Sequence, residues 1–290
     1  MEKKDPIIII GAGRTGSTTF HHMLSKHPDL AWLPGKICDA FPEGLALNRL
    51  LMRGLDYPVV GTFLSRRLKA GECYGFWEYH CTGFSAPYRD LSADDVTEHK
   101  KRRVRATMSR LLTEDRNRLL LKITGWPRIG FLSEIFEDAK FVHIMRDGRA
   151  VANSMLNVDF WRGWGGPQNW GWGELAPVYR EEWNRYGQSF VVLAAIQWKI
   201  LMDALEHARG SVDSEQFLEI RYEDLCSDSI NTLKKVTAFC GLEWKADFQK
   251  QIGAYQLKNT NDKFKSDLTA RQQRDLDEVL GDYLKKYGYL

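Results

Sequence analysis

Four short apolar runs punctuate the chain, at residues 7–10, 119–124, 141–145 and 217–220. Each is bounded by turn or helix signals and lacks the strict alternation of a half-exposed strand. That pattern predicts strands buried on both faces of a parallel sheet. Between the runs the apolar period lengthens. Residues 18–26 place Phe20, Met23 and Leu24 on one helical face and stop at His27-Pro28. Residues 94–118 predict one long, highly charged helix. Helices are also predicted over 150–156, 188–208 and 229–240, and Leu276, Val279, Leu280, Tyr283, Leu284 and Tyr287 keep helical spacing to the end. Strands that alternate with helices specify an α/β architecture around a parallel sheet. Residues 29–33 form a further short candidate strand. No repeat or low-complexity linker divides the sequence. The expectation is one domain over 1–290, with a long insertion at about 30–118 and a Trp/Gly-rich loop at about 160–177.

Composition narrows the classes. Lys plus Arg number 41 against 38 Asp plus Glu, so the formal charge of +3 gives no sign of a nucleic-acid partner. The five cysteines, Cys38, Cys73, Cys81, Cys226 and Cys240, contain no CxxC pair, and the seven histidines contain no HExxH. Both facts disfavour a metal, and the odd cysteine count suits a reducing compartment. The isoleucine run near the amino terminus is shorter than a signal core, and the apolar run at 190–196 is far shorter than a bilayer span. A cytoplasmic protein without a membrane span is the resulting expectation. The one oddity is aromatic: Trp161, Trp164, Trp170 and Trp172 crowd together among ten tryptophans.

The candidate chemistry begins at IIIIGAGRTGSTTF, residues 7–20, a strand, a glycine-rich turn and a helix start. Glycines admit φ > 0, and the open amides at a helix start face an anion. Gly11, Gly13 and Gly16 match the dinucleotide GxGxxG frame. A nicotinamide-dependent oxidoreductase would then want an acid about 20 residues on to hold a ribose, and none closes the candidate second strand. Gly11 and Gly16 also fit the nucleoside-triphosphatase loop, but Ser17 stands where that loop needs lysine. The cation present is Arg14, among the hydroxyls of Thr15, Ser17, Thr18 and Thr19.

A second motif, FVHIMRDGRAVANSML at 141–156, ends a strand in Arg146-Asp147-Gly148-Arg149 and starts a helix carrying Ser154. Ligands of open α/β sheets bind beyond the carboxyl ends of the strands, so Arg146 would share a crevice with the first loop if the strands are neighbours. GAGRTGSTTF resembles the 5′-phosphosulfate loop of sulfotransferases that use 3′-phosphoadenosine 5′-phosphosulfate (PAPS), and RDGRAVANS resembles their 3′-phosphate motif. HPD at 27–29, RYEDL at 221–225 and FCGL at 239–242 follow the family's order. The flavour resembles the bacterial, tyrosylprotein and carbohydrate branch. The resemblance implies a P-loop-like three-layer sandwich, a central parallel sheet flanked by helices, with PAPS as co-substrate and adenosine 3′,5′-bisphosphate (PAP) as product.

Carried over residue by residue, the resemblance assigns the donor's 5′ side to Arg14, Thr15, Gly16, Ser17 and Thr18. It assigns the 3′-phosphate to Arg146 and Ser154, and places Tyr222 near the nucleotide. Lys258, Asn259 and Lys263, in LKNTNDKFK, match a closing loop. Lys122 resembles the strand lysine beside the transferring group, and a lysine in an apolar strand calls for a partner anion. The reaction implied is a metal-free, in-line transfer to a hydroxyl, with an amine as the lesser alternative, of a small or lipid-like acceptor. The general base departs from the relatives, because neither an acid soon after HPD nor a histidine soon after Lys122 is present. FWEYH, read as an extended stretch, offers Glu78 and then His80, with Asp39 and Glu43 behind. His21 and His22 read as packing or donor-side residues, and the basic run from Lys100 to Arg105 as a solvated helix face. The Trp/Gly loop suits an acceptor lid. Two other readings remain open: a nucleotide-binding regulator without catalysis, and the oxidoreductase. A homodimer is compatible with the sequence.

Overall fold

The computed structural model describes residues 4–85 and 88–290. Five parallel strands form one sheet: β1 (Lys4–Gly11), β2 (Leu30–Trp32), β3 (Arg118–Thr124), β4 (Lys140–Met145) and β5 (Phe217–Arg221). Their order is β2-β3-β1-β4-β5. All four predicted strands are present, and the candidate at 29–33 is the edge strand β2. Ile7 to Ile10 are fully buried in the central strand, which is why that run shows no alternation.

The order reverses about β1. The chain leaves β1 for the β2 edge, returns to β3, then crosses β1 to reach β4. The carboxyl ends of β1, β3 and β4 therefore lie side by side, and the helices that leave them diverge to open a crevice. Gly125 N–H donates to Gly11 O at 2.9 Å, tying two of those ends together. Helix Ser17–Leu24 packs on β1 and β3, while Phe190–Arg209 packs against Gly148–Leu156 and Ala270–Lys286. Helices flank the sheet, as expected.

The long helix predicted over 94–118 is broken. A 3₁₀ turn (Ala93–Asp95) precedes helix Glu98–Ser109, and Thr97 caps that helix by accepting from Lys100 N–H at 3.3 Å. The chain then turns at Thr113, whose hydroxyl accepts from Arg116 N–H at 2.9 Å, and enters β3 at Arg118. High charge carried the helical pattern past its end, whereas the local hydroxyl bond stops it. The segment between β2 and β3 also holds helices Gly35–Ala40, Ala46–Leu55, Pro58–Arg67 and Tyr74–His80.

Candidate functional site

The first loop is shaped by its backbone. Gly13, Arg14 and Gly16 have φ of 76°, 57° and 82°, a succession of left-handed residues that curls the peptide amides inward as an anion nest. Arginine accepts that conformation reluctantly, and such strain concentrates at ligand sites. A Cβ at Gly16 would lie 2.4 Å from Cδ2 of Tyr222. Glycine is therefore what allows the ring to lie flat against the loop.

Arg14, Gly16, Ser17, Thr18, Arg146, Ser154, Tyr222 and Lys263 line one cavity of about 570 Å³. Eight residues expected to bind donor thus converge, from the segments that follow β1, β4 and β5 and from the segment after residue 257. Arg14 Nε donates to Ser154 Oγ at 3.1 Å. The buried Arg146 donates to Arg14 O, to Asn261 Oδ1 and to Thr260 Oγ1, each at 2.9 Å, and its guanidinium lies 4.4 Å from the centre of the Tyr222 ring. Burial pushes the Arg146 pKa down from the usual arginine value, with Tyr222 and Glu223 acting the other way. Burial likewise raises the Tyr222 phenol. Asp147 begins helix Gly148–Leu156 by accepting from Arg149 N–H at 2.9 Å, and ion pairs to Asp147 and Asp277 hold Arg149.

Three expected donor residues sit elsewhere. Thr15 is fully buried beneath the loop, its hydroxyl without a hydrogen-bond partner among the described residues. Lys258 contributes its carbonyl, which accepts from Tyr222 OH at 3.0 Å, and Asn259 Oδ1 accepts from Asn261 N–H at 2.9 Å. Thr260 and Asn261 are the residues of that segment that reach Arg146. Sequence reading passed over them because LKNTNDKFK draws attention to its lysines.

A second cavity, of about 420 Å³, adjoins the first. It shares Arg14, Ser17 and Thr18 and adds Glu72, Tyr74, Thr124, Met155, Phe160, Trp161, Trp170, Trp172 and Gln197. Trp161 Nε1 donates to Gln197 at 2.8 Å and Trp170 Nε1 to Gly173 O at 2.6 Å, so both indole N–H groups are satisfied. Trp164 is exposed and turns away, against Phe190 and the edge of Trp161. Two 3₁₀ turns, Gly163–Gly165 and Pro167–Asn169, are the regular structure within 160–176.

Glu72 is the acid in this second lining. Its carboxylate lies 2.9 Å from Lys122 Nζ and accepts from Thr124 Oγ1 at 2.7 Å. Lys122 is buried and also donates to Thr18 Oγ1 at 2.8 Å. It stands behind both cavities and links their walls. Tyr74 OH donates to Thr124 O at 2.7 Å; burial raises its pKa, against the nearby Arg128. His21 is fully buried beside Lys122, and desolvation, reinforced by that cation, pushes its pKa well below the usual value. It is a neutral packing residue. His22 is half-buried, with Nε2 bonded to Ala70 O at 3.1 Å.

Glu78 and His80 lie elsewhere. FWEYH is helical, part of Tyr74–His80, with Phe76, Trp77 and His80 buried on one face. Burial at 76, 77 and 80 follows the helical period and not the two-residue period of the extended stretch expected there. Glu78 folds back on the turn that follows, accepting from Gly83 N–H at 2.7 Å and Ser85 N–H at 2.8 Å. Burial alone would raise its carboxyl, but those amides hold it below the usual range. Buried His80 donates to Pro42 O at 2.9 Å, and desolvation lowers its pKa. Asp39 accepts from Gly75 N–H at 3.1 Å, and Glu43 is exposed. None of the four lines either cavity. Glu72 carries no sequence signal beyond being an acid ahead of an aromatic cluster.

The profile of the sulfotransferase family matches residues 6–246. The chain belongs to the sulfotransferase family. It is an enzyme, with PAPS as sulfuryl donor and PAP as product. Among curated proteins it is similar to the omega-hydroxy-beta-dihydromenaquinone-9 sulfotransferase Stf3 of Mycobacterium bovis and of Mycobacterium tuberculosis. It is 25% identical to each over 98% of this chain and 75% of the relative. Among solved structures it resembles sulfotransferase STF9 from Mycobacterium avium, with a TM-score of 0.59 at 16% identity, covering 99% of this chain and 77% of that one. It also resembles sulfotransferase STF1 from M. tuberculosis, with a TM-score of 0.54 at 18% identity over 91% and 76% of the two chains. Those likenesses establish the shared fold. Among the described residues there is no cluster of metal-ligating side chains and no helix long and apolar enough to cross a membrane.

Proposed function

We propose that the chain transfers the sulfuryl group of PAPS to the hydroxyl of a lipid-like acceptor, with Glu72 taking the hydroxyl proton. The observation that carries this reading is that the two cavities meet at Arg14, Ser17 and Thr18, with Glu72 as the acid on the acceptor side. A donor in the first cavity would present its sulfuryl group there, and an acceptor in the second would approach from the opposite side. That is the in-line arrangement.

In this scheme the acceptor oxygen bonds to sulfur as the bond from sulfur to the bridging phosphate oxygen breaks. The proton passes to Glu72 and PAP leaves. Arg14 and the amides of the first loop stabilise charge on the non-bridging oxygens. Lys122 acts as a positioning residue, fixing Glu72 and Thr18 relative to each other. Arg146 and Ser154 hold the 3′-phosphate, with Thr260 and Asn261 keeping Arg146 in place. The indoles of Trp161, Trp170 and Trp172 give the acceptor cavity apolar walls, which suit a hydrocarbon or quinone body better than a charged metabolite. The Stf3 relatives are named for an acceptor of that kind. Five free thiols accord with action in a reducing compartment.

The test is transfer of labelled sulfate from PAPS to hydroxylated prenylquinones and long-chain alcohols, compared with polar alcohols. Glu72→Gln is expected to lower kcat by about 10²–10⁴-fold and to leave PAP affinity unchanged in calorimetry. Full turnover by Glu72→Gln would sink the base assignment. Failure to bind PAP would sink the donor-site reading itself.

A further inference from the structure

Helices Ala46–Leu55 and Pro58–Arg67 form a hairpin beside β2, closed where Gly54 meets Leu64 and Gly61 meets the Leu55 carbonyl. Its inner side is anchored. Asn48 and Met52 are buried, Asp56 pairs with the buried Arg116 at 2.9 Å, and Lys26 Nζ donates to Ser65 O at 3.2 Å. Its outer side is unusual. Leu47, Leu50, Val59, Val60 and Phe63 on the two helices are exposed, Val59 by 84%, as are Phe41 just ahead of them and Tyr57 in the turn, where it also borders the polar cleft toward Arg116. They make up half of the fourteen most exposed large apolar side chains among the described residues. That concentration in one short stretch marks an interaction surface rather than scattered surface hydrophobics.

Charge identifies the partner. Residues 41–69 contain five basic side chains (Arg49, Arg53, Arg66, Arg67, Lys69) and two acids (Glu43, Asp56), a difference of +3 that equals the formal charge of the whole chain. All five basic residues are exposed, and none makes a salt bridge among the described residues. The Arg67 guanidinium lies 4.2 Å over the Phe63 ring, so cation and apolar ring share one face. Bare apolar side chains interleaved with unpaired arginines match the interface of an anionic bilayer, where rings enter the acyl boundary and guanidinium groups meet phosphates. A symmetric contact between two copies would bring together two patches of the same positive sign. No helix among the described residues is long and apolar enough to cross a membrane, so a bilayer contact made by this hairpin would be a surface one.

We propose that the 41–69 hairpin docks the enzyme reversibly on anionic lipid membranes. The surface is argued from the hairpin alone. It gives a lipid-like acceptor a reason to be reachable, but it stands or falls separately from the acceptor assignment.

The test is co-sedimentation of the full chain with phosphatidylcholine vesicles, with and without phosphatidylglycerol, with PAP affinity measured on the same sample. Binding to the anionic vesicles is expected, weakened by salt and weak on the neutral ones. Val59→Ser combined with Phe63→Ser should lower the bound fraction about tenfold or more, and Arg66→Glu combined with Arg67→Glu should do the same. All variants should bind PAP normally, which shows that they are folded. The proposal is overturned if the wild type binds PAP but not anionic vesicles, or if the substitutions leave vesicle binding unchanged. It is also overturned if sedimentation velocity shows the apolar substitutions converting a dimer to a monomer, since the hairpin would then be a contact between copies.

Discussion

Gly16→Ala tests the coupling between the first loop and the nucleotide wall. The added methyl would sit 2.4 Å from Cδ2 and 2.7 Å from Cε2 of Tyr222, both inside any real contact distance. The ring cannot swing freely, because its hydroxyl donates to Lys258 O at 3.0 Å and Arg146 lies over its face. Two costs follow. Alanine at a φ of 82° costs about 1–2 kcal/mol of left-handed strain. Moving the ring forfeits a hydrogen bond worth about 0.5–1.5 kcal/mol and a cation–π contact of about 0.5–1 kcal/mol. Together these amount to about 2–4.5 kcal/mol, or a Tm about 3–7 °C lower in a chain of this size. PAP binding should weaken about tenfold or more, because the displaced ring enters the donor cavity. A double-mutant cycle isolates the clash: in a Tyr222→Ala background the Gly16→Ala penalty should fall to the strain alone, leaving a coupling of about 1–2 kcal/mol. Thermal unfolding and calorimetry with PAP measure both halves. Strict additivity, or wild-type PAP affinity in Gly16→Ala, would refute the reasoning.

Further outcomes follow from other parts of the structure. Arg146→Ala should weaken PAP binding about 10–100-fold, the loss of charge-assisted bonds worth about 1.5–3 kcal/mol. Asn261→Ala should weaken it less, since it removes a support rather than a ligand. Asp90 Oδ1 accepts from Leu91 N–H and Arg128 N–H, yet burial pushes its carboxyl up to about 6 against the effect of Arg128. A raised acid pKa means that the folded chain binds the extra proton between about 4 and 6. Asp90 therefore costs no stability below its ordinary value, and stability falls as pH rises through 6. Asp90→Asn keeps an oxygen for both amides and should gain up to about 3 kcal/mol at pH 7, flattening the unfolding free energy between pH 4 and 6. Equal pH profiles for the two proteins would contradict this.

The lining of the first cavity was legible because most of it lies on two contiguous motifs, each a strand end, a turn and a helix start. Arg14, Ser17 and Thr18 are fixed by the glycines around them, and Arg146 and Ser154 by the strand and helix that Asp147 joins. The lining of the second cavity was not legible. Glu72 precedes a helix whose buried face, Phe76, Trp77 and His80, mimics the alternation of an extended stretch in so short a run, and that pattern points to Glu78 instead. Over five residues the two periods are hard to separate. What separates them is tertiary: Trp77 stacks on Phe84 at 5.0 Å, and Gly83 and Ser85 close over Glu78.

The sequence by itself determined the parallel α/β sheet, the anion loop and the family, because these rest on local rules of burial, backbone conformation and short motifs. It also determined that the tryptophans cluster, but not which of them matter. Tertiary structure decided that Trp161, Trp170 and Trp172 line the second cavity while Trp164 does not. It also placed Glu72 against Lys122, and brought Thr260 and Asn261 to Arg146 across more than a hundred residues. Those pairings depend on the strand order about β1, which sets the ends of β1, β3 and β4 side by side. A one-dimensional pattern records which face of an element is buried, but not which distant element covers it.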